Sequence, residues 1–251
     1  MRKTAIVTGA SSGIGRALAI KLAENGYDLV ITGRRTDRLA DLEKELKKAG
    51  ADVLSLVFDV SKCEEVKSNL GTLSGKWAKI DLLVNNAGGA LGKEPIQEGA
   101  IEDWDRMIDT NVKGLLYVSR IILPMMCRNN GGHIVNLCSI AGKQVYAEGN
   151  VYCASKHAVD AISKAIRIDA LPYRVKVTNI CPGAVETEFS IVRFHGDEEK
   201  AAATYKGFTP LTAEDIADTI YYCVSLPAHV CINDLTIMPT AQADSAHFFK
   251  K

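Results

Sequence analysis

Tyr152 and Lys156 stand four residues apart in Asn150-Val-Tyr-Cys-Ala-Ser-Lys156, and Ser139 lies thirteen positions before the tyrosine. Val151, Ala154, Ser155, Ala158, Val159 and Ile162 give this stretch a helical period, so the phenol and the amine fall on one face. A free tyrosine titrates near about 10, but a neighbouring cation favours its phenolate and brings it toward working range as an acid or base. Ser139, at the end of the apolar run His133-Ile-Val-Asn-Leu-Cys138, adds a short hydroxyl beside the same pocket. Two hydroxyls and an amine suit a reaction in which a carbonyl oxygen gains negative charge and a proton. A lone Tyr-x-x-x-Lys also serves as an ordinary solvated helix face, so the reading depends on what surrounds it.

The surrounding chain alternates strand and helix signals. Lys3 to Thr8 is a buried-strand run, and Gly9-Ala-Ser-Ser-Gly13-Ile-Gly15 opens an amphipathic stretch, Arg16 to Asn25, stopped by Gly26. Glycines at 9, 13 and 15 permit a tight turn and bring backbone N–H groups at a helix start close to a pyrophosphate. The spacing Gly-x-x-x-Gly-x-Gly differs from the common Gly-x-Gly-x-x-Gly fingerprint, and alone it equally describes a structural turn. Further strands are expected at 28–33, 52–59, 82–85, 133–138, 175–181 and 234–238. Helices are expected at 36–49, from a Ser61-Lys-Cys-Glu64 capping box to about Trp77, at 103–128, at 150–170 ended by Pro172, and from a Thr212 cap to Ser225. Residues 186–208 show no clean period. Regular βα alternation predicts a doubly wound parallel sheet of about seven strands in a single domain, 1–251, with ligands beyond the C-terminal strand ends.

Of the 251 residues, 47% are hydrophobic, enough for a full core, and 30 basic residues balance 30 acidic ones. That neutrality provides no global field for nucleic acid or an anionic membrane. No segment approaches the ~18 uninterrupted apolar residues of a membrane span, and no secretory leader is evident, so a soluble, cytoplasmic protein is expected. The seven cysteines lack metal-ligand spacing and sit largely in apolar runs, which predicts reduced core thiols and no metal site. Cys153 is of interest only because it adjoins Tyr152.

Thr8-Gly-Ala-Ser-Ser-Gly-Ile-Gly15, Asn85-Asn-Ala-Gly88, Asn111, Ser139, Tyr152-x-x-x-Lys156 and Pro182-Gly183, in this order, resemble the classical short-chain dehydrogenases/reductases over essentially the whole chain. The resemblance implies a Rossmann-type domain, a bound nicotinamide dinucleotide and a Ser-Tyr-Lys site extended by Asn111. Tyr152 would be the acid/base and Ser139 would bond the reacting oxygen. Lys156 would bond the nicotinamide ribose and lower the Tyr152 pKa, while Asn111 would support a water-linked proton path. The cofactor would meet Gly9, Ser11, Ser12, Gly13, Ile14 and Gly15 on the first loop, and Asp59 and Val60 at its adenine. It would then meet Asn86, Ala87 and Gly88, and finally Pro182, Gly183, Val185 and Thr187.

Where an NAD-preferring site places an acid after the second strand, this chain has Arg34 and Arg35, whose guanidinium forks suit the 2′-phosphate of NADP. Leu91-Gly-Lys-Glu-Pro95, Glu102-Asp-Trp-Asp, Thr187-Glu-Phe-Ser-Ile-Val-Arg-Phe194 and Met238-Pro-Thr-Ala-Gln242 resemble the NADP-dependent 3-hydroxy acid dehydrogenases, including serine and allo-threonine dehydrogenases. Such substrates are small anions. Arg193, in the segment 186–208 expected to cover the site, is the candidate carboxylate clamp, or else a loop anchor, with Lys206 second. Gln144 is a candidate substrate contact, since Gln144-Val145 replaces a bulkier pair in some members. The alternatives are a general carbonyl reductase of ketoesters or diketones, and an NADP(H)-sensing protein without turnover. A homotetramer is expected, paired through the helices at 103–128 and 150–170.

Overall fold

Seven parallel strands form one sheet in the order β3-β2-β1-β4-β5-β6-β7 in the computed structural model, which describes residues 2–251. The strands are β1 (Lys3–Val7), β2 (Tyr27–Gly33), β3 (Val53–Val57), β4 (Leu82–Asn85), β5 (Gly132–Leu137), β6 (Val175–Pro182) and β7 (Asp234–Ile237). Along each strand, successive side chains face opposite layers. In β1, Ala5 and Val7 enter one core with α1 (Gly13–Glu24), α2 (Thr36–Lys48) and α9 (Ala213–Ser225). Ile6 enters the other, with α3 (Cys63–Leu70), α5 (Leu115–Arg128) and α6 (Asn150–Ala170). Because the sheet is covered on both faces, its central strands are mostly apolar, and the polar Asn85 and Asn136 they carry are buried and hydrogen-bonded.

The strand order reverses between β1 and β4, and the C-terminal ends on either side of this switch point leave a crevice for a ligand. Polar side chains brace it from below. Asn85 Nδ2 donates to Asn136 Oδ1 at 2.8 Å, and Asn136 Nδ2 donates to Ser163 Oγ at 2.9 Å, which ties β4, β5 and α6 together. Asn86 Nδ2 donates to the Thr8 and Gly9 carbonyls at 2.8 and 3.1 Å and fixes the first loop to the end of β4.

Three expectations change. Ser61 is not a helix cap: its N–H and hydroxyl both donate to Asp59 Oδ1, at 2.9 and 2.8 Å, so α3 starts after Lys62 and ends at Leu70. Trp77 belongs to a separate 3₁₀ turn, Gly75–Ala78. The helix expected from 103 begins at Ile101 as α4 (Ile101–Ile108) and passes through a π-helical turn, Asp109–Gly114, before α5. Such turns commonly mark functional positions. The aperiodic stretch 186–208 contains α7 (Phe189–Arg193) and α8 (Glu198–Tyr205), the latter capped by Asp197, whose side chain accepts from Lys200 N at 3.0 Å. Helices of five and eight residues are too short to show a period of 3.6.

Candidate active site

Ser139 lies two residues past the end of β5 and initiates a short turn, its hydroxyl accepting from Ala141 N at 3.1 Å and donating to the Pro182 carbonyl at 3.4 Å. Tyr152 and Lys156 lie on the first turns of α6 and both are buried. With Ser139 they line a cavity of about 560 Å³ whose walls include Tyr146, Pro182, Gly183, Val185, Thr187 and Arg193. Phe189 packs edge-on against Tyr152, ring centroids 5.7 Å apart.

A second cavity of about 310 Å³ adjoins the first through Ile14, Asn86, Gly88 and Thr187, which line both. Its walls carry Gly9, Ser11, Ser12 and Gly13 from the first loop, Arg34 and Arg35 from the end of β2, and Asp59 and Val60. Ala87 and Asn111 complete it. Gly15 is set back from both cavities, where a Cβ would meet Asn86 Nδ2 at 2.4 Å and the Gly9 carbonyl oxygen at 2.5 Å. Glycine is therefore required there by close packing. The two cavities form one extended groove across the switch point, with an N-terminal helix turn at its centre. Its shape and donors fit a dinucleotide.

The model of the short chain dehydrogenase family matches residues 3–197. The chain is a short-chain dehydrogenase. It is 47% identical over 239 residues to the NADP-dependent 3-hydroxy acid dehydrogenase of Salmonella typhi, with 95% of each chain covered. It is 43% identical over 247 residues to sulfoacetaldehyde reductase 2 of Chromohalobacter salexigens, with 98% of each covered. Among solved structures it is similar to the closed form of a serine dehydrogenase complexed with NADP⁺, at a TM-score of 0.92 and 42% identity over 99% of each chain.

Electrostatics in this short-chain dehydrogenase differ from the expectation for Tyr152. Burial pushes the phenol up, Tyr146 adds to the effect, and Ser139 and Arg193 only partly oppose it. The net shift is upward although the Lys156 ammonium, which donates to the Leu137 carbonyl at 2.8 Å, lies 5.9 Å from the Tyr152 ring centroid. Burial also pushes the Lys156 ammonium below its ordinary range. The tyrosine is thus held as a neutral phenol, the form that gives up a proton.

Asn111 sits in the π turn, 2% exposed, and its side chain is fully engaged. Its Oδ1 accepts from Gly89 N at 2.9 Å, while Nδ2 donates to the Gly89 carbonyl at 2.8 Å and to Ser155 Oγ at 3.0 Å. It holds the Gly88-Gly89 wall of the groove against α6.

Arg193 is 9% exposed and faces the cavity from the end of α7. Nε donates to the Gly92 carbonyl at 3.1 Å and Nη1 to Tyr146 Oη at 2.9 Å. Nη2 is buried with no hydrogen-bond partner among the described residues. A buried unpaired donor of this kind costs about 1–3 kcal/mol, more when charged, unless something meets it.

Gln144 does not reach either cavity. It is exposed, and its Oε1 accepts from Ser245 N at 2.9 Å, which anchors the C-terminal segment. The glutamine on the cavity wall is Gln242, whose Oε1 accepts from Ala184 N at 2.8 Å. Tyr146, Gln242 and Glu188 were missed in the sequence because contacts remote in the chain place them. Lys206 lies outside both cavities. All seven cysteines are free, and Cys153 is buried, with its thiol pushed up by burial. Among the described residues no cluster of metal-ligating side chains occurs and no helix is long and apolar enough to cross a membrane.

Proposed function

We propose that this chain is an NADP-dependent oxidoreductase that exchanges a hydride with a small 3-hydroxy acid of the serine, allo-threonine or 3-hydroxyisobutyrate type, or with its keto form. The dinucleotide, when bound, gives or takes the hydride. The glycine loop would hold its pyrophosphate, Arg34 and Arg35 its 2′-phosphate, Asp59 and Val60 its adenine, and Lys156 the nicotinamide ribose. In reduction, Tyr152 would pass its proton to the substrate oxygen while Ser139 donates a hydrogen bond to the same atom, which meets the charge that develops as the C–H bond forms. Oxidation returns the proton to Tyr152.

The observation that carries the substrate class is Arg193, a buried guanidinium with an unpaired Nη2 in the same cavity as Tyr152. It fits one acid group of a small substrate. Hydroxy acids, serine and sulfoacetaldehyde, named for the similar proteins, each carry such a group. The segment 186–208, which supplies Arg193, would close over the substrate. The test is a rate comparison with NADP⁺ and NAD⁺ across serine, allo-threonine, 3-hydroxyisobutyrate, 3-hydroxypropionate and neutral alcohols of similar size. Preference for the acids with NADP⁺ supports the reading; faster turnover of the neutral alcohols would favour a general carbonyl reductase.

A homotetramer built on α5 and α6 belongs to the same proposal. Leu116 on α5 and Ile168 on α6 are 42% and 72% exposed, apolar surface that a partner helix would cover. Light scattering at micromolar concentration should give the mass of four chains, and a monomer mass would exclude it. The free thiols suit a reducing compartment, in keeping with a cytoplasmic enzyme.

A further inference from the structure

The arginines at the end of β2 already hold anions of the chain itself. Arg35 Nη1 donates to Glu188 Oε2 at 2.8 Å, and Arg38, in the first turn of α2, donates to Oε1 of the same carboxylate. The other donors of Arg35 lie on the glycine loop: Nε and Nη2 reach Ser11 Oγ at 3.2 and 3.1 Å, and Nη2 reaches Ser12 Oγ at 2.6 Å. Arg34 has the Asp59 carboxylate 3.6 Å away. All of these except Arg38 line the second cavity. Hydrogen bonds from Arg35 and Arg38 hold the Glu188 carboxyl below its ordinary range against the cost of partial burial, so it is an anion at neutral pH.

We propose that Glu188 is an internal competitor for the cofactor's 2′-phosphate: its carboxylate takes the anion position on Arg35, and the phosphate binds there only by displacing it. This rests on the NADP reading. Arg35 commits Nε, Nη1 and Nη2, and of its partners only Glu188 carries a charge that repels a phosphate. A phosphate monoester has three oxygens and nearly two negative charges, so it outcompetes a single carboxylate on a guanidinium fork. Arg38 keeps the displaced carboxylate paired, which lowers the cost of the exchange. The dinucleotide without the extra phosphate makes no demand on this position and leaves Glu188 in place. Glu188 thereby sets how strongly the chain discriminates between the two cofactors, in the direction opposite to Arg35.

Calorimetric titration of the full chain with NADP⁺, NAD⁺, 2′,5′-ADP and 5′-AMP tests this. Glu188→Gln removes the charge at a half-exposed position and should bind NADP⁺ and 2′,5′-ADP about threefold to tenfold tighter than wild type, with NAD⁺ and 5′-AMP unchanged within about twofold. The gain should vanish in an Arg35→Ala background, since the competition is for that guanidinium. If Glu188→Gln leaves 2′,5′-ADP binding unchanged or weaker while wild type still prefers it to 5′-AMP, Glu188 orients Arg35 and does not compete with the phosphate, and the proposal falls. If wild type binds 2′,5′-ADP no better than 5′-AMP, the NADP reading itself is wrong and the competition has no ligand.

Discussion

The guanidinium carbon of Arg193 lies 5.8 Å from the ring centroid of Tyr152, so the candidate proton donor and the candidate anion clamp share one small cavity. The arginine is oriented by Tyr146 and by the Gly92 carbonyl, which leaves Nη2 for a ligand. A substrate acid group held there would stand close to the reacting oxygen.

Arg193→Ala removes one charge-assisted contact, worth roughly 1.5–3 kcal/mol, and should lower kcat/KM for serine or 3-hydroxyisobutyrate by about one to two decades. A neutral ketone of similar size should be nearly unaffected. Steady-state kinetics on both substrates decides it: equal losses would make Arg193 an anchor for the segment 186–208 and nothing more.

For Asn111→Ala the expected effect is on stability as much as on turnover. The substitution strips three hydrogen bonds, two of them from the half-buried backbone of Gly89 and one from the buried Ser155 hydroxyl, and should cost about 2–4 kcal/mol in a urea unfolding titration. Turnover lost at unchanged stability would assign the residue to the chemistry alone.

His133 offers a pH test remote from the site. Burial, aided by the charge of Lys176, lowers its pKa from 6.5 to about 3. The depressed value means that the unfolded chain binds a proton the folded chain does not, so the contribution is complete above the unfolded pKa and is lost as pH falls. Stability should therefore fall between pH 6.5 and about 3, by at most about 1.4 kcal/mol per pH unit from this residue, and His133→Gln should remove that part of the slope. Denaturant midpoints measured across the range check it; an identical slope in the variant would show that other groups set the acid limb.

Much of the scaffold is legible in the sequence because local signals and the global fold agree. The helix from Asn150 to Ala170 and the Thr212 cap, which forms a reciprocal box with Asp215, stand at the positions their patterns indicate. Ser61 was misread because Asp59, two residues earlier, competes for the same hydroxyl as an Asx turn, which a pattern of Ser and Glu alone does not reveal. Gln144 was named as the substrate contact and Gln242 was not, since contacts of the C-terminal segment, remote in sequence, decide which glutamine reaches the wall. The phenol of Tyr152 was expected to be lowered by Lys156, but spacing along a helix gives proximity and not burial, and burial dominates here.

In the proposed reaction Tyr152 moves the proton while the dinucleotide is held mainly elsewhere. Tyr152→Phe keeps the buried ring and removes only the hydroxyl, so NADPH affinity, measured by fluorescence titration, should stay within about threefold, while turnover of the best substrate falls by about 10²–10⁴. Near-wild-type turnover by Tyr152→Phe with NADPH still bound would exclude Tyr152 as the proton donor.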